Sequence, residues 1–277
     1  MKDRDEVNVT DNQFGRLSQV SFDAVYQDKQ TCLRNIEFTA PYKIIDPFPR
    51  DTQGIQVMLL SASAGIMAGD RQEFTFSIHE NAVVEFISQA YEKIHQMAKG
   101  KATRISKITV DAGGTFIFNP QPTIPFGESS FENTIEVQLE NEQSRFYMSE
   151  ILTAGRVARG EKFQYHKYYN HVLIWRNQQL IYRDNARFEP TMMDMAGFGM
   201  YENYTHMGNI FISKPLEDTS GFVEKLEQVI ADIQEHVDVE IGYTQLASGD
   251  YVVRDFANRA QLLEQVANKI FSDVVKL

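Results

Sequence analysis

The sequence predicts a mainly β protein: one large all-β body followed by two late α-helices. Three observations lead there. Runs of β-branched and aromatic residues with period-2 alternation follow one another from Leu17 to Arg183. Turn residues separate them at intervals of about 10–15 residues, the rhythm of a sandwich or barrel. Apolar residues at helical spacing are confined to the end of the chain, over Ser220–Val237 and Asn258–Val275.

Taken in order, the elements begin after a charged, polar leader over residues 1–13. Leu17–Tyr26 alternates in part through Leu17, Val20, Phe22 and Val25, and Thr31–Ile45 carries Leu33, Ile36 and Phe38 before Pro41. Ile55–Leu60 and Phe74–Ile78 are β-like runs on either side of a glycine-containing stretch. Val83–Ile94 alternates as Val83, Glu85, Ile87, Gln89, and Ala102–Val110 does so through Ile105 and Ile108. Asp111–Gly114 is a turn and Thr115–Asn119 the next strand. Pro120, Pro122 and Pro125 then interrupt, because proline cannot donate to a central ladder. Thr134–Leu139, Arg145–Thr153, Phe163–Trp175 and Gln179–Arg183 read as further strands, with Asn141–Glu142 and Asn177–Gln178 as hairpin turns. Nothing repeats at a fixed period. Ser220 is placed to cap the first helix, and Val239–Leu246 and Tyr251–Phe256 form two strands between the helices.

Composition narrows the function. With 27 Lys and Arg against 38 Asp and Glu, the net charge of −11 argues against nucleic acid as a partner and permits a cation or a basic protein face. The single cysteine, Cys32, excludes an intramolecular disulfide and a thiolate cage. No run approaches the ~20 apolar residues of a membrane span and the N-terminus has no apolar signal core, so the chain reads as cytoplasmic and free of membrane. HExxH, CxxC and GxSxG signatures are absent, and the six histidines share no i, i+2 or i, i+4 spacing. An enzyme would need an acid/base or metal constellation, and the sequence offers none.

The stretch Ser61–Asp70 (SASAGIMAGD), followed by Arg71, is the most distinctive. Gly65 and Gly69 sit among small residues, which suit a close backbone crossing, and a carboxylate and a guanidinium follow at its exit. Arg156, Arg159, Gly160 and Glu161 concentrate charge within six residues, as a local ion pair would. Arg187–Ile212 holds five methionines, suited to adaptable packing or to a partner surface. Polar residues also gather at strand ends and breaks: Gln89, Lys93, Gln121, Glu128, Glu150 and Asp184.

These stretches resemble the urease accessory protein UreD (UreH) family. Ser-Ala-Gly65-Ile-Met-Ala-Gly69-Asp70-Arg71 is similar to its glycine-rich signature, with Ala64 and Ala68 where many members have glycine. Ser88–Ile94 resembles its following strand, with Glu92 at a position where threonine is common, and Pro120–Phe126 its proline-rich break. Gly155-Arg156 with Arg159–Phe163, Leu180–Asp184 and Tyr204–Gly208 (including His206) continue the likeness in order over about residues 14–212. The resemblance implies one domain over residues 1–277, a wound, β-helix-like or sandwich-like body at 14–213 and a helix-containing part at 214–277. It implies a non-enzymatic maturation factor. Such a factor binds an F-type accessory protein, a G-type GTPase through it, and apo-urease directly. Nickel passes through the assembly, so no cofactor is expected beyond transient Ni²⁺. Weak oxygen ligands suit transfer, which makes Asp70, Glu128, Glu150 and Glu161 the candidate route. The rival is a β-rich scaffold or ligand-binding module with no metal role.

Overall fold

A computed structural model describes residues 17–50, 53–216 and 219–275; the leader over residues 1–13 lies outside them. The strands are β1 (Leu17–Gln27), β2 (Gln30–Phe38), β3 (Tyr42–Ile44), β4 (Phe48–Pro49), β5 (Ile55–Ser61), β6 (Arg71–Ile78), β7 (Val83–Gln89), β8 (Glu92–Ile94) and β9 (Ala102–Val110). They continue as β10 (Thr115–Asn119), β11 (Thr123–Pro125), β12 (Ser130–Leu139), β13 (Arg145–Thr153), β14 (Lys167–Arg176), β15 (Gln179–Phe188) and β16 (His206–Ile212). Helix α1 (Thr219–His236), β17 (Val239–Gln245), β18 (Tyr251–Ala257) and α2 (Ala260–Lys269), extended by a π-helical turn over Ile270–Val275, complete the chain.

The strands form two sheets. One has the order β15-β14-β12-β9-β6-β1-β2; the other runs β17-β18-β16-β13-β10-β7-β5-β3, with β4, β8 and β11 attached. From β5 to β14 the chain crosses between sheets at nearly every step, so that β5, β7, β10 and β13 pair in parallel in one sheet and β6, β9, β12 and β14 in the other. Antiparallel strands finish the edges: β2 on β1, β15 on β14, and β16, β18 and β17 beyond β13. The body is thus wound like a β-helix and flattened like a sandwich, as the family resemblance implies.

The hairpin expectations divide. Asn177 and Gln178 adopt positive φ and join two antiparallel strands, Arg176 opposite Gln179, as a tight hairpin requires. Asn141–Glu142 instead carries the chain from β12 in one sheet to β13 in the other. Alternation in the sequence marks a half-buried strand but not the neighbour it pairs with. Two further boundaries move. Val83–Ile94 breaks into β7 and β8, and Phe163–Trp175 starts as a strand only at Lys167. Helix α1 begins at Thr219, so Ser220 lies inside it.

Between the sheets lies an aromatic core. Phe22 stacks on Phe76 at 4.6 Å and Phe86 on Phe118 at 5.3 Å, and Phe116, Phe146 and Phe211 follow at about 6 Å. Parallel in-register pairing sets equivalent inward positions of successive strands side by side, and Phe211 joins the row from the antiparallel strand β16. Strands β10 and β13 are buried on both faces, since α1 and α2 cover the outside of their sheet through Leu226, Ile230, Leu263 and Val266, which pack on Ile117, Tyr147 and Ile210. Among the described residues, no helix is long and apolar enough to cross a membrane.

Phe146 is fully buried in the aromatic row, whereas Phe198 stands fully exposed in the β15–β16 loop. Truncating Phe146 to Ala is expected to cost about 3–5 kcal/mol in urea unfolding, and Phe198→Ala close to nothing.

Candidate functional site

The stretches singled out in the sequence converge on one corner of the body. Gly65 has φ +146°, and a Cβ there would lie 2.3 Å from the Lys93 carbonyl oxygen, so the crossing admits only glycine. Across it, the Ile66 N–H donates to Lys93 O at 2.7 Å and the His95 N–H to Ile66 O at 2.9 Å. Strand β8 pairs in parallel with β11, Glu92 beside Thr123, which brings the proline-rich break alongside. Gly155, at φ +133°, packs against the carbonyls of Glu161 and Pro125. The Phe163 N–H donates to Ala154 O at 2.6 Å, and the Ala154 N–H to Thr205 O at 2.7 Å. Five stretches distant in sequence thus form one short wall that closes the gap between the sheets.

Side chains lock this wall. Asp70 accepts the Met67 N–H at 2.8 Å, fixing the turn after the crossing; burial pushes its carboxyl up from the ordinary range. Arg71 opens β6 and is exposed. Arg156 pairs with Glu161 at 2.5 Å and lies over the Phe126 ring at 4.2 Å. Glu161 also accepts the Gly127 N–H at 2.7 Å, and the Arg156 hydrogen bond holds its carboxyl below the usual range. The charged loop is therefore a closed ion pair. Glu128, at φ +61°, is exposed and accepts from Gln96. Gln89 and Lys93 are exposed. Gly69 donates its N–H to Lys101 O at 3.0 Å. Gln121 lines the interior and its N–H donates to Ser88 Oγ at 2.9 Å.

Behind the wall, the sheets enclose a polar layer. In one sheet the in-register partners Gln72, Arg104, Asn133 and Asn170 stand side by side on β6, β9, β12 and β14. In the other, Glu150, Asn209 and Arg254 stand side by side on β13, β16 and β18. This rung divides the interior into the aromatic core on one side and a second core on the other, which holds Phe131, Leu152, Tyr168 and Phe188. Its contacts run from strand to strand. Arg104 donates from Nε to Gln72 at 2.8 Å and grips Glu92 with both terminal nitrogens, its guanidinium over the rings of Phe74 and Phe131. Asn133 Nδ2 donates to Asn170 Oδ1 at 2.8 Å, and Asn170 Nδ2 to Glu150 at 2.9 Å. Arg254 pairs with Asp184 at 2.7 Å. Burial pushes the Glu150 carboxyl up to about 7.

Three cavities follow this layer. A chamber of about 50 Å³ lies at its centre, lined by Ser106, Asn133, Glu150 and Asn170 among others. A wide cleft of about 600 Å³, containing Gly65, Asp70, Gln89 and Lys93, meets it at Glu92, Arg104, Phe118 and Pro120. A third cavity, of about 540 Å³, meets it from the opposite end at Asp184 and Arg254. The polar layer therefore joins the glycine-rich corner to the far edge of the sandwich.

The predicted site residues fall into separate groups. Asp70 lines the cleft and Glu150 the chamber, whereas Glu128 and Glu161 belong to the outer wall. His206 is buried on the helix-covered face beside Thr205, and burial pushes its imidazole down to about 4. The methionine-rich loop is split: Met195 is buried in the second core, while Met192 and Met193 are exposed. Sequence reading missed Arg104, Asn133, Asn170 and Arg254. Their signal is present in the sequence: a polar residue at an inward position, such as Asn133 between Phe131 and Ile135, breaks the apolar side of a period-2 pattern. Among the described residues, no three His, Cys, Asp or Glu side chains form a metal-binding group.

A wound β body with helices on one face and a hydrogen-bonded polar layer between its sheets defines a mainly β, helix-backed class of protein. The family profile described as UreD urease accessory protein matches residues 16–274. The urease accessory protein UreD of Acetivibrio thermocellus is 34% identical over 261 residues, spanning 94% of this chain and 97% of that protein. The UreH proteins of Helicobacter hepaticus and Helicobacter pylori strain P12 are 32% and 34% identical, over 82% and 76% of this chain and 86% and 81% of their own lengths. The chain belongs to the UreD family of urease accessory proteins, with a role in urease maturation.

Two outcomes are expected. Gly65→Ala should disrupt the wall and lower Tm by several degrees, since both φ and space exclude a Cβ. Asp255, on β18, is fully buried against Gly208 with both carboxylate oxygens unpartnered, and burial pushes its pKa up to about 7. The folded state then holds a proton that the unfolded chain releases near pH 4, so stability falls as pH rises from about 4 to 7. Asp255→Asn should flatten the fall in Tm between pH 5 and pH 8, recovering up to roughly 4 kcal/mol at the upper end; Glu150 leaves a residual slope of the same sign.

Proposed function

We propose that this chain is the maturation factor through which nickel reaches the urease active site. In this reading it works in the cytoplasm, binds apo-urease directly, and docks an F-type accessory protein and, through it, a G-type GTPase. Family membership supports the role in maturation. The polar layer carries the nickel part of the reading: a row of oxygen and nitrogen side chains lies between two apolar cores and shares lining residues with a cavity at each end.

Such a row is poor at storing nickel. It offers isolated carboxylates and amides rather than clustered imidazoles or thiolates, and Ni²⁺ binds best to nitrogen and sulfur donors. Weak sites along a sheltered path allow release, which transfer requires. Asp70 stands in the entry cleft and Glu150 in the central chamber, so these two carboxylates mark the route. Glu161 is committed to Arg156 and Gly127, and with Glu128 it shapes the outer wall where a partner protein docks.

The test is urease produced with nickel and the other accessory proteins, with and without this chain. Activity and nickel content should both collapse without it, and Glu150→Ala should lower both while partner binding persists. Full activity and nickel content without the chain would refute the reading.

A further inference from the structure

Among the described residues, the two sheets end in four free edges: β2, β15, β3 and β17. A free edge offers unpaired backbone groups to any passing chain, and proteins blunt it with bulges, charges or shortness. The β1–β2 ladder shifts register between Ser21 and Asp23, and β2 carries Asn35 at φ +47°. The β14–β15 ladder shifts at Ile174–Trp175, and β15 exposes Arg183 and Arg187. Strand β3 is three residues long. Strand β17 has none of these protections. Its seven residues pair with β18 without a shift, and it contains no Pro, Lys or Arg.

At the centre of β17 stands Gly242, exposed, with no atom within 4 Å of the position a Cβ would take. Its φ also lies outside the left-handed region. Neither space nor backbone conformation calls for glycine here, and glycine weakens a strand. What an edge glycine does permit is the close approach of another backbone, with a large side chain of the added strand packed over it.

Strand β17 forms one wall of the third cavity, and Tyr182, Arg183 and Asp184 of β15 form the other. Leu246, Val252 and Phe256 add apolar lining. Charge gathers where β17 begins. Glu240, Asp238 and Glu202 lie close to Tyr204, and burial together with these carboxylates pushes its hydroxyl up. None of the three forms an ion pair among the described residues. The edge therefore calls for a basic complement.

We propose that β17 takes up an extended segment of a partner protein as an added antiparallel strand, with a basic residue opposite Glu240 and a large apolar residue opposite Gly242. Glu240 and Gly242 both line the third cavity, so these two side chains, two residues apart in the segment, enter it together. Backbone hydrogen bonds to the edge supply affinity, and the paired side chains supply specificity. Such docking needs no metal and stands apart from the nickel reading.

The probe is the fluorescein-labelled peptide Ser-Thr-Val-Phe-Val-Lys-Ser, titrated with the full chain by fluorescence anisotropy, with hydrogen–deuterium exchange to locate it. The wild-type chain should bind the peptide and protect the β17 amides. A peptide with Glu in place of Lys should bind about fivefold more weakly, and Glu240→Lys should reverse that order. Gly242→Lys, which the open space admits, should abolish binding while the Tm is kept. The distant surface variant Glu80→Gln should change nothing. Absence of binding, protection away from β17, or the same peptide preference in wild type and Glu240→Lys would overturn the proposal. Concentration-dependent dimerisation in sedimentation velocity, abolished by Gly242→Lys, would also overturn it by assigning the edge to a second copy of this chain.

Discussion

Two sheets packed about 10 Å apart hold their inward side chains away from bulk water, so inward polar groups are stabilised by partners across or along the gap. That constraint governs this protein. Parallel pairing sets Gln72, Arg104, Asn133 and Asn170 at one level, and antiparallel pairing sets Glu150, Asn209 and Arg254 at the facing level. Arg104 is satisfied by Gln72 and Glu92, the two asparagines by each other and by Glu150, and Arg254 by Asp184. The apolar residues on either side form two separate cores because this layer lies between them.

The corner motifs belong to the same design. A wound chain must cross from sheet to sheet, and at the entry to the polar layer the crossings are too tight for side chains. Gly65 and Gly155 meet backbone carbonyls there. Strands β8 and β11 build the short wall, and Arg156, Phe126 and Glu161 pin its outer side. A wall of backbone hydrogen bonds and small side chains leaves the cleft behind it open, so a rigid corner and an accessible polar interior arise together. The helices cover the opposite face of one sheet, which leaves β10 and β13 wholly buried and fixes the strand that carries Glu150.

Much of this was legible in the sequence. Alternation located the strands, helical spacing located both helices, and Asn177–Gln178 announced its hairpin. The motif resemblance led to the family, and the glycine crossing to the corner. The winding was not legible: alternation at Arg145–Thr153 is the same whether the strand pairs with its sequence neighbour or with one thirty residues away, so Asn141–Glu142 read as a hairpin. The grouping of the carboxylates was not legible either. Asp70, Glu128 and Glu161 sit beside strand ends or breaks and Glu150 within β13, and only register places Glu150 inside while Glu161 closes an ion pair outside. Arg104 on β9 and Asn133 on β12 each interrupt an inward apolar series; their importance lies in standing at the same level, which is a property of pairing and not of any one strand.

The central claim is that a continuous polar layer crosses the sandwich between two dry cores. A crystal structure at a resolution that shows ordered solvent tests it most directly. The account predicts water molecules bound in sequence from Asp70, past Arg104 and Glu150, to Arg254, with none in the aromatic core. A chamber closed by direct side-chain contact, with no solvent between Arg104 and Arg254, would contradict it.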